Sequence, residues 1–327
     1  MKRVGRIILF VMFIFGFINV PTVHAVEPVV DIGTLGGLDA FATAINNAGQ
    51  VVGASKITED GSFHAFLWEN GVMIQLFPEE EDGYESVAQS ISENGFITGT
   101  AVDPNGETRA FLWKNGKSIF LGTLGCESSY GTAVNGLGQV VGTTCDEEGN
   151  IRGFLWRNGH MIDLGTLGGN YTEANDINVF GQVIGKSTDS DGLTRAYIWD
   201  NGKMKPLSPY SSGSYGINIK GHALLEYYIP DLQESHAGIW TRRGFTPIED
   251  EFYNGQFFDI NNNDHVVGVY YYDIRKALLY KDGQFIDLNA MLPDGTESSA
   301  LGVNDQDQVV GEFVNSDGHS RAIIWNP

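Results

Sequence analysis

Short apolar runs alternate with polar, Gly-rich turns along nearly the whole chain, and the same order of runs and turns comes round seven times. The third round shows it in full: Thr132-Ala-Val-Asn-Gly-Leu-Gly-Gln-Val-Val-Gly142, then Gly153-Phe-Leu-Trp-Arg-Asn-Gly159, then Asp163-Leu-Gly-Thr-Leu-Gly168. A short polar residue opens the first turn at Asn46, Ser92, Asn135, Asn178, Asn218, Asn261 and Asn304. An aromatic closes the second half at Trp68, Trp113, Trp156, Trp199, Trp240, Tyr280 and Trp325. Successive openings lie 40 to 46 residues apart, the period of a four-stranded propeller blade.

The fourth round predicts how one blade is made. Glu173–Ile177 forms the inner strand, Asn178-Val-Phe-Gly181 turns the chain, and Gln182–Ser187 returns. Asn opens such turns by bonding its own backbone, and Gly accepts positive φ. Asp189-Ser-Asp-Gly192 makes the next turn, Arg195–Trp199 the third strand, and Asp200-Asn-Gly202 a tight hairpin. Met204–Leu207, less apolar and holding Pro206, suits an edge. Ala65-Phe-Leu-Trp68, Ala110-Phe-Leu-Trp113 and Ala196-Tyr-Ile-Trp199 are apolar at every position, as a strand covered on both faces requires. Their aromatics are expected between blades. The last round stops after its third strand, Arg321–Trp325, whereas Pro28–Gly33 matches the fourth-strand phrase Met161–Gly165. The expected fold is therefore an all-β, seven-bladed propeller of four-stranded antiparallel blades, closed when the N-terminal strand joins the last blade. Rounds five and six depart furthest from the phrase, at Gly221-His-Ala-Leu-Leu225 and Tyr280, which leaves six blades plus an insert as the alternative.

Residues 1–25 stand apart. Lys2, Arg3 and Arg6 precede the apolar stretch Ile7–Ile18, and Val23-His24-Ala25 fits a small-x-small cleavage site. That is the pattern of a secretory signal, too short to span a bilayer comfortably. Residues 26–327 then form one domain, destined for the periplasm or the medium. Losing those three cations takes the net charge from −21 to −24, which repels nucleic acid and anionic lipid. Cys126 and Cys145, the only cysteines, flank one hairpin turn and reach an oxidising compartment, so a disulfide is expected.

Candidate chemistry is sparse. His64 and His236 occupy a slot filled elsewhere by Arg109, Arg152, Arg195, Lys276 and Arg321, which reads as a cationic partner for acidic turns. His160, His222, His265 and His319 show no metal-ligand spacing. The turns Glu59-Asp-Gly61, Asp103-Pro-Asn-Gly106, Asp146-Glu-Glu-Gly149, Asp189-Ser-Asp-Gly192 and Asn315-Ser-Asp-Gly318 begin a calcium cage without completing it. Calcium is the one metal they suggest, and no other cofactor is implied. No nucleophile elbow or zinc-protease motif is present. Gly-Thr-Leu-Gly-Gly at 33–37 and 165–169 leads into no helix and reads as a linker. The connectors between blades carry Phe41, Tyr84, Tyr130, Tyr171, Tyr210, Tyr215 and Tyr253 beside acids and hydroxyls. Tyrosine joins a flat apolar face to a hydrogen-bonding tip, which suits sugar rings or peptide segments.

The literal His64-Ala-Phe-Leu-Trp68, following Ala44-Ile-Asn-Asn-Ala-Gly-Gln-Val-Val-Gly53, resembles the bacterial extracellular HAF repeat. Variants are Arg109-Ala-Phe, Arg152-Gly-Phe, Arg195-Ala-Tyr, His236-Ala-Gly and Arg321-Ala-Ile. The resemblance covers nearly all of residues 26–327. It implies an exported propeller-like protein and carries no established activity or functional residues. The reading is a monomeric binding module for a glycan or protein surface, with no nucleic-acid partner, no catalytic residue, and no membrane insertion after signal cleavage. The alternatives are a carboxylate-based hydrolase or lyase at the channel mouth and a purely structural envelope or matrix protein.

Overall fold

The computed structural model describes residues 27–78, 85–230, 233–248 and 255–327, and the expected signal at 1–25 lies outside them. Seven four-stranded antiparallel sheets follow one another around a ring. Blades 1 to 6 occupy 40–75, 86–120, 125–163, 168–206, 212–247 and 256–287. Blade 7 takes three strands from 298–325 and its outer strand from Val29–Asp31. There Val29 faces Trp325, Val30 faces Ile324 and Asp31 faces Ile323. Arg321 adds an ion pair to Asp31 at 3.1 Å. The N-terminal strand thus closes the ring as its sequence phrase predicts, and the six-blade alternative falls, because rounds five and six each build a full sheet.

The core is divided among the blade interfaces. Each apolar cluster joins two adjacent blades: Phe66 and Val51 of blade 1 meet Val310 and Ile324 of blade 7, and Tyr197 and Trp199 of blade 4 meet Leu155 and Val141 of blade 3. The all-apolar third strands supply both faces of these wedges, which is why they do not alternate. The aromatic ending the phrase lies in them too, with Trp325 wholly buried.

Every innermost strand breaks register near its first turn, in blade 1 between Ala42 and Ala44, and those of blades 3 and 4 break it a second time at the loop end. Such a bulge turns one carbonyl toward the second strand. A Cβ at Gly53, Gly142 or Gly185 would lie 1.9–2.0 Å from the carbonyl oxygen of Phe41, Tyr130 or Glu173. That contact explains the glycine closing the phrase Gln-Val-Val-Gly. Blade 5 instead has Leu225, and its first strand leaves two residues, 215 and 216, unpaired. At the outer hairpins both residues of Asn70-Gly71, Asn115-Gly116, Asn158-Gly159 and Asn201-Gly202 have positive φ, the geometry of a two-residue turn matched to strand twist.

The buried residue that opens each first turn ties the blades together. Asn178 accepts the N–H groups of Phe180 and Gln182 on Oδ1, at 3.0 and 3.1 Å. Its Nδ2 donates to Gln182 Oε1 at 2.9 Å and to the Asn218 carbonyl of blade 5 at 3.2 Å. The same hand-over runs from Asn46 to Ser92, Asn135 to Asn178, Asn218 to Asn261, Asn261 to Asn304 and Asn304 back to Asn46. Only the link out of blade 2 is missing from this series. Ser92 caps Phe96 N with its hydroxyl, which is too short to cross, and Asn94 reaches Gly136 O instead at 2.8 Å.

Asn178→Ala leaves two turn N–H groups and one buried carbonyl short of partners. It should lower the unfolding free energy by about 2–4 kcal/mol, since each unsatisfied buried group costs roughly 1–3. Ser92→Asn should raise it by about 1 kcal/mol by adding the missing link. Denaturant titration of both variants checks this, and an unchanged midpoint for Asn178→Ala would remove the ring as a source of stability.

Candidate functional site

The two ends of the ring differ in construction. One carries the asparagine turns and the outer hairpins. The other carries the turns between second and third strands and the connectors between blades. At this loop end the acidic turns share one internal design. Asp146 Oδ1 accepts the N–H groups of Glu148 and Asn150, and its Oδ2 meets Arg152 Nε at 2.9 Å. Asp189 does the same with Asp191, Leu193 and Arg195, the last at 2.7 Å. The cationic slot of the His-Ala-Phe phrase thus holds the turn acid. Hydrogen bonds from Asn150, with help from Arg152, bring Asp146 down to about 2, and Arg195 foremost lowers Asp189. Both oxygens are therefore committed before any calcium arrives. Among the described residues no group of three or more His, Cys, Asp or Glu side chains is arranged to hold a metal.

The Gly-Thr-Leu-Gly-Gly segments are connectors. Thr34 Oγ1 donates to Gly37 O at 2.8 Å and Thr166 Oγ1 to Gly169 O at 2.9 Å. Leu35 N and Leu167 N then dock on Ser55 Oγ and Ser187 Oγ. In blade 3 the matching connector is stapled by the Cys126–Cys145 disulfide, which joins first to second strand as expected.

The seven aromatics assigned to connectors need correction in place. Tyr84 and Tyr253 lie outside the described residues. Tyr210 stands in a connector, whereas Phe41, Tyr130, Tyr171 and Tyr215 lie within innermost strands. The connectors are shorter than the sequence suggests because the backbone resumes pairing almost at once: Gly168 already faces Asp189. The five residues are spread over blades 1, 3, 4 and 5, each mostly with local partners. Phe41 packs edge-on to Phe63 at 5.2 Å, and Tyr210 stacks on Tyr227 at 6.0 Å. The Tyr171 hydroxyl donates to Glu173, and that of Tyr215 to Glu226 at 2.9 Å. Tyr130 has no ring or hydroxyl partner among the described residues and is half exposed.

Sequence reasoning missed two features. On the loop end, Tyr228, Tyr271 and Tyr272 join Tyr130 and Tyr210 as exposed tyrosines. At the opposite end the channel opens into a cavity of about 430 Å³. Its rim is apolar over blades 3 to 5, where Leu137, Val179, Phe180 and Ile219 are exposed, and polar over the other blades at Asn47, Glu93, Asn262 and Asp305. The first two residues after each turn-opening polar residue carry this difference, visible once the seven copies are aligned.

Four carboxylates line the cavity, from Glu93, Asp176, Asp259 and Asp305, and no Lys, Arg or His does. Asp176 and Asp259 take the position that Ala44, Ala133, Gly216 and Gly302 fill in other blades. Asp176 accepts Ile177 N and, across the interface, Ile217 N, both at 2.7 Å. Asp259 accepts Ile260 N at 2.8 Å and Val303 N at 3.0 Å. Burial, with Asp259 nearby, pushes Asp176 up to about 7, and burial likewise raises Asp259. A carboxyl raised on folding binds more protons in the native state, so stability falls as pH climbs from its unfolded value of 3.8 to about 7. The paired turn acids act oppositely, their contribution vanishing as pH falls through their lowered values. Thermal melts of the wild-type protein should therefore peak in weak acid. Asp176→Asn should flatten the decline above that peak, and an identical slope in the variant would reject the assignment.

No protein-family model matches the chain, and no curated protein matches it in sequence. Among solved structures, it superposes on one from a study of two prolyl endopeptidases with a TM-score of 0.64 at 13% identity, over 89% of this chain and 47% of that one. The propeller domain of the Trilobed protease from Pyrococcus furiosus gives 0.60 at 12% identity, over 88% of this chain and 96% of that one. The acylaminoacyl peptidase of Pyrococcus horikoshii gives 0.57 at 12%, over 88% and 51%. The chain thus spans about half the length of both peptidase chains and nearly all of the isolated propeller. The Pyrococcus furiosus domain is described as an open velcro, whereas here the first strand pairs with the last blade. Likeness at this identity concerns the fold alone, and that fold is a seven-bladed β-propeller.

Proposed function

We propose that the chain is an exported, monomeric binding module of the HAF-repeat kind that recognises a glycan or protein surface through its loop end. The observation that carries this reading is the set of exposed tyrosines on that end, spread from blade 3 to blade 6 at Tyr130, Tyr210, Tyr228, Tyr271 and Tyr272. Aromatic rings left in water on a rigid scaffold are costly for solubility and effective for contact. The disulfide supports an oxidising destination, in keeping with the signal-like residues 1–25. The charge of −21 argues against nucleic acid.

A second reading rests on Asp176 and Asp259. Unrepeated acids with raised pKa values in a cavity are what a carboxylate-based hydrolase or lyase needs. Each carboxylate oxygen already accepts a backbone N–H, which also accounts for them as structural groups.

Binding of the purified protein to arrays of immobilised glycans and peptides separates these readings. Saturable binding that weakens about tenfold in the Tyr130→Ala, Tyr210→Ala double variant supports the loop end, in line with the contribution of one or two aromatic contacts. Blank arrays, together with glycoside or peptide turnover abolished by Asp176→Asn, would replace the binding reading with the catalytic one.

A further inference from the structure

Blade 6 breaks the turn design that blades 2, 3, 4 and 7 keep. In blades 2, 3, 4 and 7 the turn between second and third strands opens with Asp103, Asp146, Asp189 or Asn315, whose side chain accepts two backbone N–H groups. In blades 3 and 4 the same Asp receives the Nε–H of the slot arginine. Blade 6 has no such opening acid and no glycine; its turn reads Tyr271-Tyr272-Asp273-Ile274-Arg275. Arg275 sits one residue before the slot, where the other blades carry Phe63, Thr108, Ile151, Thr194, Ser235 and Ser320.

The substitution leaves polar groups open. Arg275 Nη2 is anchored by Glu312 Oε1 at 3.3 Å, yet its Nε–H is buried with no hydrogen-bond partner among the described residues. A buried guanidinium N–H left unpaired is destabilising, and within this same chain Arg152 and Arg195 show how it is otherwise satisfied. Glu297, from the segment leading into blade 7, faces the same cleft with a carboxylate that has no partner among the described residues. Tyr272 is 86% exposed, the highest value for any large hydrophobic side chain described. Lys276, 5.8 Å from its ring centroid and 3.0 Å from Asp273, holds it at the cleft edge. The cleft between blades 6 and 7 measures about 410 Å³, within the range of small-ligand sites.

The geometry points to a saccharide subsite: a neutral hexopyranose lies against the Tyr271–Tyr272 edge, accepts an N–H from the exposed part of the Arg275 guanidinium on a ring or hydroxyl oxygen, and donates a hydroxyl to Glu297. A sugar ring offers an apolar C–H face with acceptors and donors around it, and this cleft supplies the complement of each. Glu297, Asp273 and the overall negative charge disfavour anionic sugars and phosphates. The assignment rests on the loop-end binding reading and names its site and ligand class.

Saturation-transfer NMR with a mixture of the methyl glycosides of glucose, galactose, mannose and fucose tests it. The wild-type protein should transfer saturation to at least one of them. Tyr272→Ala and Arg275→Met should each weaken the effect about tenfold, while Tyr272→Trp should retain it. Melting curves establish that each variant is folded, and the exposed Tyr272 makes that expected. No transfer to any neutral hexoside, or transfer indifferent to both substitutions, overturns the subsite. Array binding to peptides alone overturns the saccharide assignment and leaves the loop-end reading standing. Blank glycan and peptide arrays sink both.

Discussion

A ring of side-chain amides sets the geometry on which the other parts rest. Each buried asparagine has two acceptor positions and two donors, and here all are used: the oxygen shapes its own turn while the nitrogen holds the next blade's carbonyl. Aspartate could cap the turn and could not donate; serine caps it and is too short to cross, as Ser92 demonstrates. Because each link fixes a turn and an interface together, local and tertiary structure are specified by one residue. The link from Asn304 to Asn46 joins residues 258 apart in sequence, so it forms only after the circle has closed.

That circle imposes an alternation on the residues just inside it. Ser90, Asp176 and Asp259, on blades 2, 4 and 6, accept the N–H groups of Val134, Ile217 and Val303 on the following blades. Those following blades carry Ala133, Gly216 and Gly302 at the equivalent place. A Cβ at Gly216 would come within 3.0 Å of the Ile260 side chain, and one at Gly302 within 3.0 Å of the Ala44 backbone. Seven is odd, so blades 7 and 1 meet with two small residues, Gly302 and Ala44. The arrangement places two carboxyls in a confined cavity and makes their ionisation unfavourable. It also explains why unrepeated acids in this channel are not by themselves a catalytic signature.

The inner surface is thus occupied with holding the ring, and the freedom to vary lies where backbone demands are weakest. Turn acids are bound by the cation of the third strand in blades 3 and 4. Blade 6 exchanges that closed arrangement for exposed tyrosines and a guanidinium with an unused N–H. Departures from the repeat carry more functional information here than the repeat itself.

The sequence alone pointed to seven blades with six as the alternative, to four strands per blade, tight Asn-Gly hairpins and the closing role of residues 28–33, and its two cysteines to the disulfide. These follow from local periodicity, turn chemistry and an incomplete last round, all of which are properties of neighbouring residues. Which aromatics stand in water was decided only by tertiary structure. Tyr171 and Tyr215 read as free loop residues, yet strand pairing set each hydroxyl on a glutamate. Tyr272 carried no distinguishing local signal and emerged as the most exposed. The asparagines, too, read as turn formers, because the second half of their work crosses to a carbonyl some 40 residues away that only the closed ring brings within reach.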